Sequence, residues 1–216
     1  MKQDFQKIKS AIRYWQLGRG YTVALRAMDF AEKHHTGLRK DGVTPEFQHQ
    51  VSQVNFARTL IEYMQYPEET LATIWLHDIV EDCGVPVAEI ERLFGKKIGE
   101  AVELMTNAVF GVKKNAAQYY NAMLPNEIAS LAKGIDRIHN HQSMHGVFKL
   151  EKQAAYIKET NEFIMPLLKA ARRIHPEQEP AYQNIKHVLQ VQMELIDAFL
   201  QSASNPTQPN LSEARH

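Results

Sequence analysis

Between Thr73 and Cys83 the chain reads TIWLHDIVEDC. Ile74, Trp75, Leu76, Ile79 and Val80 are apolar, yet His77, Asp78, Glu81 and Asp82 lie inside or against the same run. An unpaired carboxylate in such surroundings costs several kcal/mol unless a charge or a metal compensates it. If the segment is a helix, His77 with Glu81 and Asp78 with Asp82 form two i,i+4 pairs on adjacent rows. Adjacent His and Asp donors on a helix with apolar flanks suit a divalent cation of the zinc, manganese or iron type. The bland alternative makes His77 a hydrogen-bonded core histidine and the acids a solvated helix end. Four such groups together on one apolar helix weigh against it.

Two donors do not complete a metal site, so partners must come from elsewhere. The segment EIASLAKGIDRIHNHQ, Glu127 to Gln142, carries an apolar stripe at Ile128, Leu131, Ile135 and Ile138, with Asp136 and Asn140 together on one flank. Gly134 lies inside this helical pattern, where glycine costs about 1 kcal/mol relative to alanine, which points to a close approach by another group. Asp136 has a structural alternative, a surface pair with Arg137 or Lys133. His49, at the end of GVTPEFQH, is the other candidate. His34 and His35 compete with it, but they sit at a helix end where a histidine often serves as a cap.

The elements that must position these groups are helices almost throughout. After a break at LGRG, apolar spacing predicts a helix from about Tyr21 to His35, ending in the Gly- and Pro-punctuated loop HTGLRKDGVTP. Helical patterns follow near 50–66, 69–83, 87–94, 96–107, 115–123, 126–141, 150–173 and 181–201. No alternating strand is expected. The end, from about residue 202 to 216, is polar and Pro-containing and is expected to be disordered. One domain over residues 1–201 is expected, with no internal repeat or linker.

Composition narrows the function classes. Lys plus Arg equals Asp plus Glu at 25 each, so no global field draws the chain to nucleic acid or an anionic membrane, and phosphate binding must be local. Cys83 is the one cysteine, which excludes an intramolecular disulfide and a multi-cysteine metal site. The first residues lack a signal peptide's apolar stretch, and no apolar run approaches the ~20 residues of a membrane span. A cytoplasmic protein is the expectation.

The order His34, RKDG (39–42), His49, HDIVED (77–82), FG (94–95), MTN (105–107), KGIDRIHN (133–140), KET (158–160) and Pro166 resembles the hydrolase domain of the RelA/SpoT alarmone enzymes, within the HD phosphohydrolase superfamily. The likeness covers about residues 20–170 and implies an all-α HD-domain bundle of about eight to ten helices and a small alarmone hydrolase. It implies one manganese ion held by His49, His77, Asp78 and Asp136, with Glu81 and Asp82 acting on the attacking water and the leaving group. Arg39 and Lys40 match the pair that packs against guanine, Asn140 matches a contact near the ribose, and Ser143 joins them on the substrate side.

The chain departs from this pattern at recognisable places. Tyr-Ile-x-His-Pro is Glu46-Phe47-Gln48-His49-Gln50 here, and Met-Arg-Thr after the asparagine is His141-Gln142-Ser143, which removes a cationic contact. These changes touch substrate recognition more than metal binding. The implied reaction is manganese-dependent 3′-pyrophosphate hydrolysis of guanosine 3′,5′-bispyrophosphate (ppGpp). Other readings are the same site acting on an adenine alarmone or the 2′-phosphate of NADPH, or a helical binding module with a dead site. The partner expected is a small nucleotide, with neither nucleic acid nor membrane.

Overall fold

The computed structural model describes residues 4–109 and 111–204. Among these residues the chain is an all-α bundle: α1 (Phe5–Arg19), α2 (Thr22–His34), α3 (Gln48–Ala57), α4 (Pro67–Leu76), α5 (Ile79–Cys83), α6 (Val87–Phe94), α7 (Lys96–Met105), α8 (Ala116–Met123), α9 (Glu127–Met144), α10 (Leu150–Glu159), α11 (Met165–Ile174) and α12 (Glu179–Ser204). Short 3-10 and π segments join some of them. Helix α12 carries residues 202–204, the first of the expected disordered tail, and residues 205–216 lie outside the described residues. No helix among the described residues is long and apolar enough to cross a membrane.

Local chemistry explains many of the boundaries. Helix α1, which apolar spacing did not single out, starts at Asp4, whose carboxylate accepts the N–H groups of Gln6 and Lys7, and stops at Gly20 with φ 72°. Helix α9 starts at Asn126, whose side chain accepts from Ile128 and Ala129. Pro67 opens α4, where its missing N–H is harmless. One small element differs from the helical expectation: Ala108–Val109 pairs antiparallel with Val112–Lys113 as a two-residue hairpin around Gly111. Strands this short carry no readable alternation.

Helix α9 lies at the centre and packs against α3, α4, α7, α11 and α12. Its Gly134 answers the question raised by the sequence. A Cβ there would stand 2.8 Å from Ile185 Cγ2 and 2.9 Å from Leu168 Cδ2, so the close approach is by α12 and α11, and its cause is packing rather than a ligand. Arg137, on the same helix, joins α9 to its neighbours. Its Nη1 donates to Glu159 at 3.1 Å and its Nη2 to Tyr120 Oη at 3.1 Å, and Tyr120 in turn donates to Glu159 at 2.7 Å. The segment KET therefore supplies a half-buried ion-pair partner to the buried Arg137.

His141, also on α9, is buried and bonded through Nε2 to Thr160 Oγ1 at 3.0 Å, with its Nδ1 unpartnered. Burial, aided by the charge of Arg137, lowers its pKa to about 4. The unfolded chain takes up this proton near pH 6.5, whereas the folded chain resists it until about pH 4, so the contribution to stability is complete above 6.5 and is lost as pH falls towards 4. Denaturant titrations of metal-free protein at pH 7.5 and 4.5 are expected to differ by on the order of 2–3 kcal/mol from this group alone. His141→Gln is expected to remove that part of the difference. An unchanged pH dependence in the variant would contradict the assignment.

Candidate metal centre and cleft

The segment read as one helix over 69–83 is divided at its chemically active point. Helix α4 ends at Leu76, His77 (φ −59°, ψ −33°) and Asp78 (φ −94°, ψ −5°) form a turn, and α5 starts at Ile79. In an unbroken helix neighbouring side chains diverge by about 100°. The flattened Asp78 backbone instead lets His77 Nε2 and Asp78 Oδ2 approach to 3.1 Å. The i,i+4 rows expected for these residues are thus interrupted by the turn, although the Asp82 N–H still donates to the Asp78 carbonyl at 2.8 Å.

Two distant helices bring the remaining donors to this turn. His49 lies in the first turn of α3, and its Nε2 is 3.5 Å from Asp78 Oδ2 and 3.2 Å from Asp136 Oδ1. Asp136 on α9 places the same Oδ1 3.6 Å from His77 Nε2. The structure therefore gathers His49, His77, Asp78 and Asp136. His34 remains apart, with its Nδ1 bonded to the Phe30 carbonyl at 2.8 Å as a helix-end histidine. His35 turns to Gln50 and Cys83.

His77 tests whether these residues fit a cation. Its Nδ1 donates to the Ile74 carbonyl at 2.9 Å, which leaves Nε2 as the lone-pair nitrogen. That nitrogen is buried, has no hydrogen-bond partner and faces two carboxylates. Such a position demands positive charge. Burial disfavours the imidazolium, yet Asp78 and Asp136 outweigh burial and push the pKa up to about 10, so a proton fills the role when nothing else does. Donors held about 2.0–2.2 Å from a shared ion lie roughly 3.0–3.6 Å from one another, which matches the 3.1–3.6 Å spacings found. His49, His77 and Asp78 form a group that could hold a metal ion, and Asp136 Oδ1 lies within 3.6 Å of both imidazole Nε2 atoms.

Neighbouring charges shape the acids. Burial raises the Asp136 carboxyl, but Lys133, 3.0 Å from its Oδ2, and the two imidazoles hold it well below the usual carboxylate range. Asp78 is likewise lowered, with His77 overcoming desolvation. Asp82 goes the other way: desolvation and then Asp78, Glu46 and Glu81 raise it to about 6. Glu81 uses Oε1 to accept the backbone N–H groups of Asn107 and Ala108, which ties the MTN segment to α5.

These groups line a cleft of about 790 Å³. Its far wall is the RKDG loop. There Arg39 N–H bonds the Thr44 carbonyl, and Asp41, held at a pKa of about 2 chiefly by Thr44, accepts from Val43 and Thr44 beside Gly42 at φ 71°. Arg39 Nη2 donates to Ser143 Oγ at 3.3 Å, and Asn140 donates to Asp136 Oδ1 at 2.9 Å. Lys40 stands 5.4 Å from the centre of the Phe148 ring. All four expected substrate residues line the cleft.

Several residues in or behind the cleft carry no assignment from the sequence. Lys152 lies 3.8 Å from the centre of the same Phe148 ring, and it is held below its usual pKa by desolvation, Lys40 and Lys113. His139 Nδ1 is 2.6 Å from His49 Nδ1, and burial lowers its pKa to about 3. Gln53, one turn after His49, donates to Asp136 Oδ1 at 3.1 Å. The i,i+4 relation of Gln53 to His49 was readable. Lys152 and Phe148 carried no local signal.

Comparison with known proteins agrees with the motif order. Residues 27–118 match the family model described as an HD domain. The chain is 29% identical over 170 residues to GTP pyrophosphokinase rsh of Brucella melitensis, an alignment covering 75% of this chain and 21% of that protein. It is 25% identical over 196 residues to guanosine-3′,5′-bis(diphosphate) 3′-pyrophosphohydrolase of Spiroplasma citri, covering 87% and 26%. It is 27% identical over 179 residues to a probable enzyme of the same name from Synechocystis, covering 75% and 23%. The chain thus spans about a fifth to a quarter of the length of these relatives.

Proposed function

We propose that this chain, which carries an HD domain of the RelA/SpoT type, is a manganese-dependent phosphohydrolase that converts ppGpp and water to GDP and pyrophosphate. The observation that carries the reading is the convergence of His77 Nε2 with His49 Nε2, Asp78 Oδ2 and Asp136 Oδ1, the last three from residues on the wall of a cleft that Arg39, Lys40, Lys113 and Lys152 also line. Those four donor residues would hold the ion. When bound, it supplies a lowered water pKa and offsets phosphate charge.

The chain's own groups have the remaining tasks in this reading. Asp82, assisted by Glu81, takes the proton of the attacking water and passes one to the 3′-oxygen as its bond to phosphorus breaks. Arg39 and Lys40 hold the base and so select which phosphorus is presented, a matter of positioning. Asn140 and Ser143 contact the sugar side. The crowded cations Lys40, Lys113 and Lys152 gain from a phosphate among them. A single cysteine, Cys83, fits a cytoplasmic setting.

One observation supports a second substrate class. Arg39 is engaged by Ser143, and Lys40 stands over Phe148, so the base contacts differ from a simple guanine clamp. On this second reading, an adenine alarmone or NADPH would be the substrate at the same metal site. The expected result with ppGpp and manganese is GDP with intact pyrophosphate, measured by chromatography and separate colorimetric assays for pyrophosphate and orthophosphate. Orthophosphate as first product, or turnover of NADPH alone, would replace the first substrate with the second. No turnover of any nucleotide in the panel would leave the binding-module reading.

A further inference from the structure

Gln53 has no part in the ligand set above, yet it reaches into it. The side chain is buried at 1% exposure on α3, one turn beyond His49. Its amide nitrogen lies 2.6 Å from His49 Nε2 and 3.1 Å from Asp136 Oδ1, while its Oε1 is buried and has no hydrogen-bond partner. A buried amide oxygen left without a donor costs about 1–3 kcal/mol. The arrangement is reasonable only while the two neighbours act as bare acceptors, because the NH₂ group then has somewhere to donate.

A cation among those acceptors reverses the preference. Their lone pairs are then engaged, and the positive end of the amide dipole faces a positive ion. The terminal amide torsion is broad and two-fold, so a half-turn exchanges nitrogen for oxygen with almost no change in shape. We propose that Gln53 is a fifth protein ligand of the divalent ion, through Oε1. This rests on the metal reading above and extends it. The donors become two imidazole nitrogens, two carboxylate oxygens and one neutral amide oxygen. Such an oxygen-rich set of five favours a six-coordinate ion with one position open, over the four-coordinate geometry typical of zinc.

The test compares the unaltered protein with Gln53→Met, of similar length but without the amide, and Gln53→Glu, which retains an oxygen at the same reach. Manganese affinity is measured by calorimetry, and coordination number by the visible d–d absorption of the cobalt-loaded proteins, which intensifies as the number of ligands falls. Gln53→Met is expected to bind manganese about 10–100-fold more weakly, the range seen when support around a metal is lost, and to give a more intense cobalt band. Gln53→Glu is expected to bind at least as tightly as the unaltered protein, with its band intensity. Unchanged affinity and spectrum in Gln53→Met would overturn the fifth ligand alone, as would a Gln53→Glu protein that loses metal as severely as Gln53→Met. Failure of the unaltered protein to take up manganese or cobalt would overturn the metal reading and this inference with it.

Discussion

Asp78→Asn is expected to abolish measurable metal uptake and to lower kcat/KM for the preferred nucleotide by on the order of 10³-fold. A metal at a phosphoryl centre contributes several kcal/mol of charge stabilisation, and each 1.4 kcal/mol is about tenfold in rate. Asp78 is the cleanest of the four donors to alter. Its Oδ2 faces both imidazoles at 3.1 and 3.5 Å, and asparagine keeps the shape of the turn while removing the charge. Asp136 is a poorer probe, because its Oδ2 also holds Lys133, and its loss would strand a buried cation. The measurement is metal content by elemental analysis beside steady-state kinetics. An Asp78→Asn protein that keeps full metal stoichiometry and turns over within tenfold of the unaltered chain would remove Asp78 from the ligand set.

Asp82→Asn is expected to behave differently: full metal content with kcat lowered about 10²–10⁴-fold, the usual contribution of a general acid–base group. Asp82 lies on α5, one turn beyond Asp78, and lines the same cleft. Desolvation, with Asp78, Glu46 and Glu81 nearby, raises its carboxyl to about 6. Glu81→Gln belongs to the same series, with lower turnover and retained metal. The glutamine Oε1 can still accept from Asn107 and Ala108, so the drop reports on the other oxygen rather than on loss of the loop. Parallel loss of metal and activity in Asp82→Asn would show that the division between ligand and proton carrier is drawn in the wrong place.

Periodicity and local chemistry decided much of this protein in advance. The span 87–94 is the helix expected from it, and α2, α8 and α9 fall within a few residues of their expected bounds, because a stripe such as Ile128, Leu131, Ile135 and Ile138 is written at helical spacing in the chain itself. The resemblance in motif order nominated His49, His77, Asp78 and Asp136 without coordinates, and the structure brings their side chains together. The break at His77 and Asp78 was invisible, since no Gly or Pro marks it. At this break two neighbouring side chains face groups on other helices.

Only the tertiary structure decided what meets across the cleft. His49 and His139 are 90 residues apart in the chain, Gln53 and Asp136 are 83 apart, and Arg39 and Ser143 are 104 apart. Local patterns extend over a turn or two of helix and carry no information about such pairs, which depend on how α3 and α9 cross. The same holds for Gly134, whose purpose emerged only when Ile185 and Leu168 were found against it, and for Lys152 and Phe148, which became a cleft wall by the course of the chain from α9 into α10. Residue type and spacing determined which groups could bear charge and bind metal; packing determined which of them share a desolvated space, where burial and mutual charge set their chemistry.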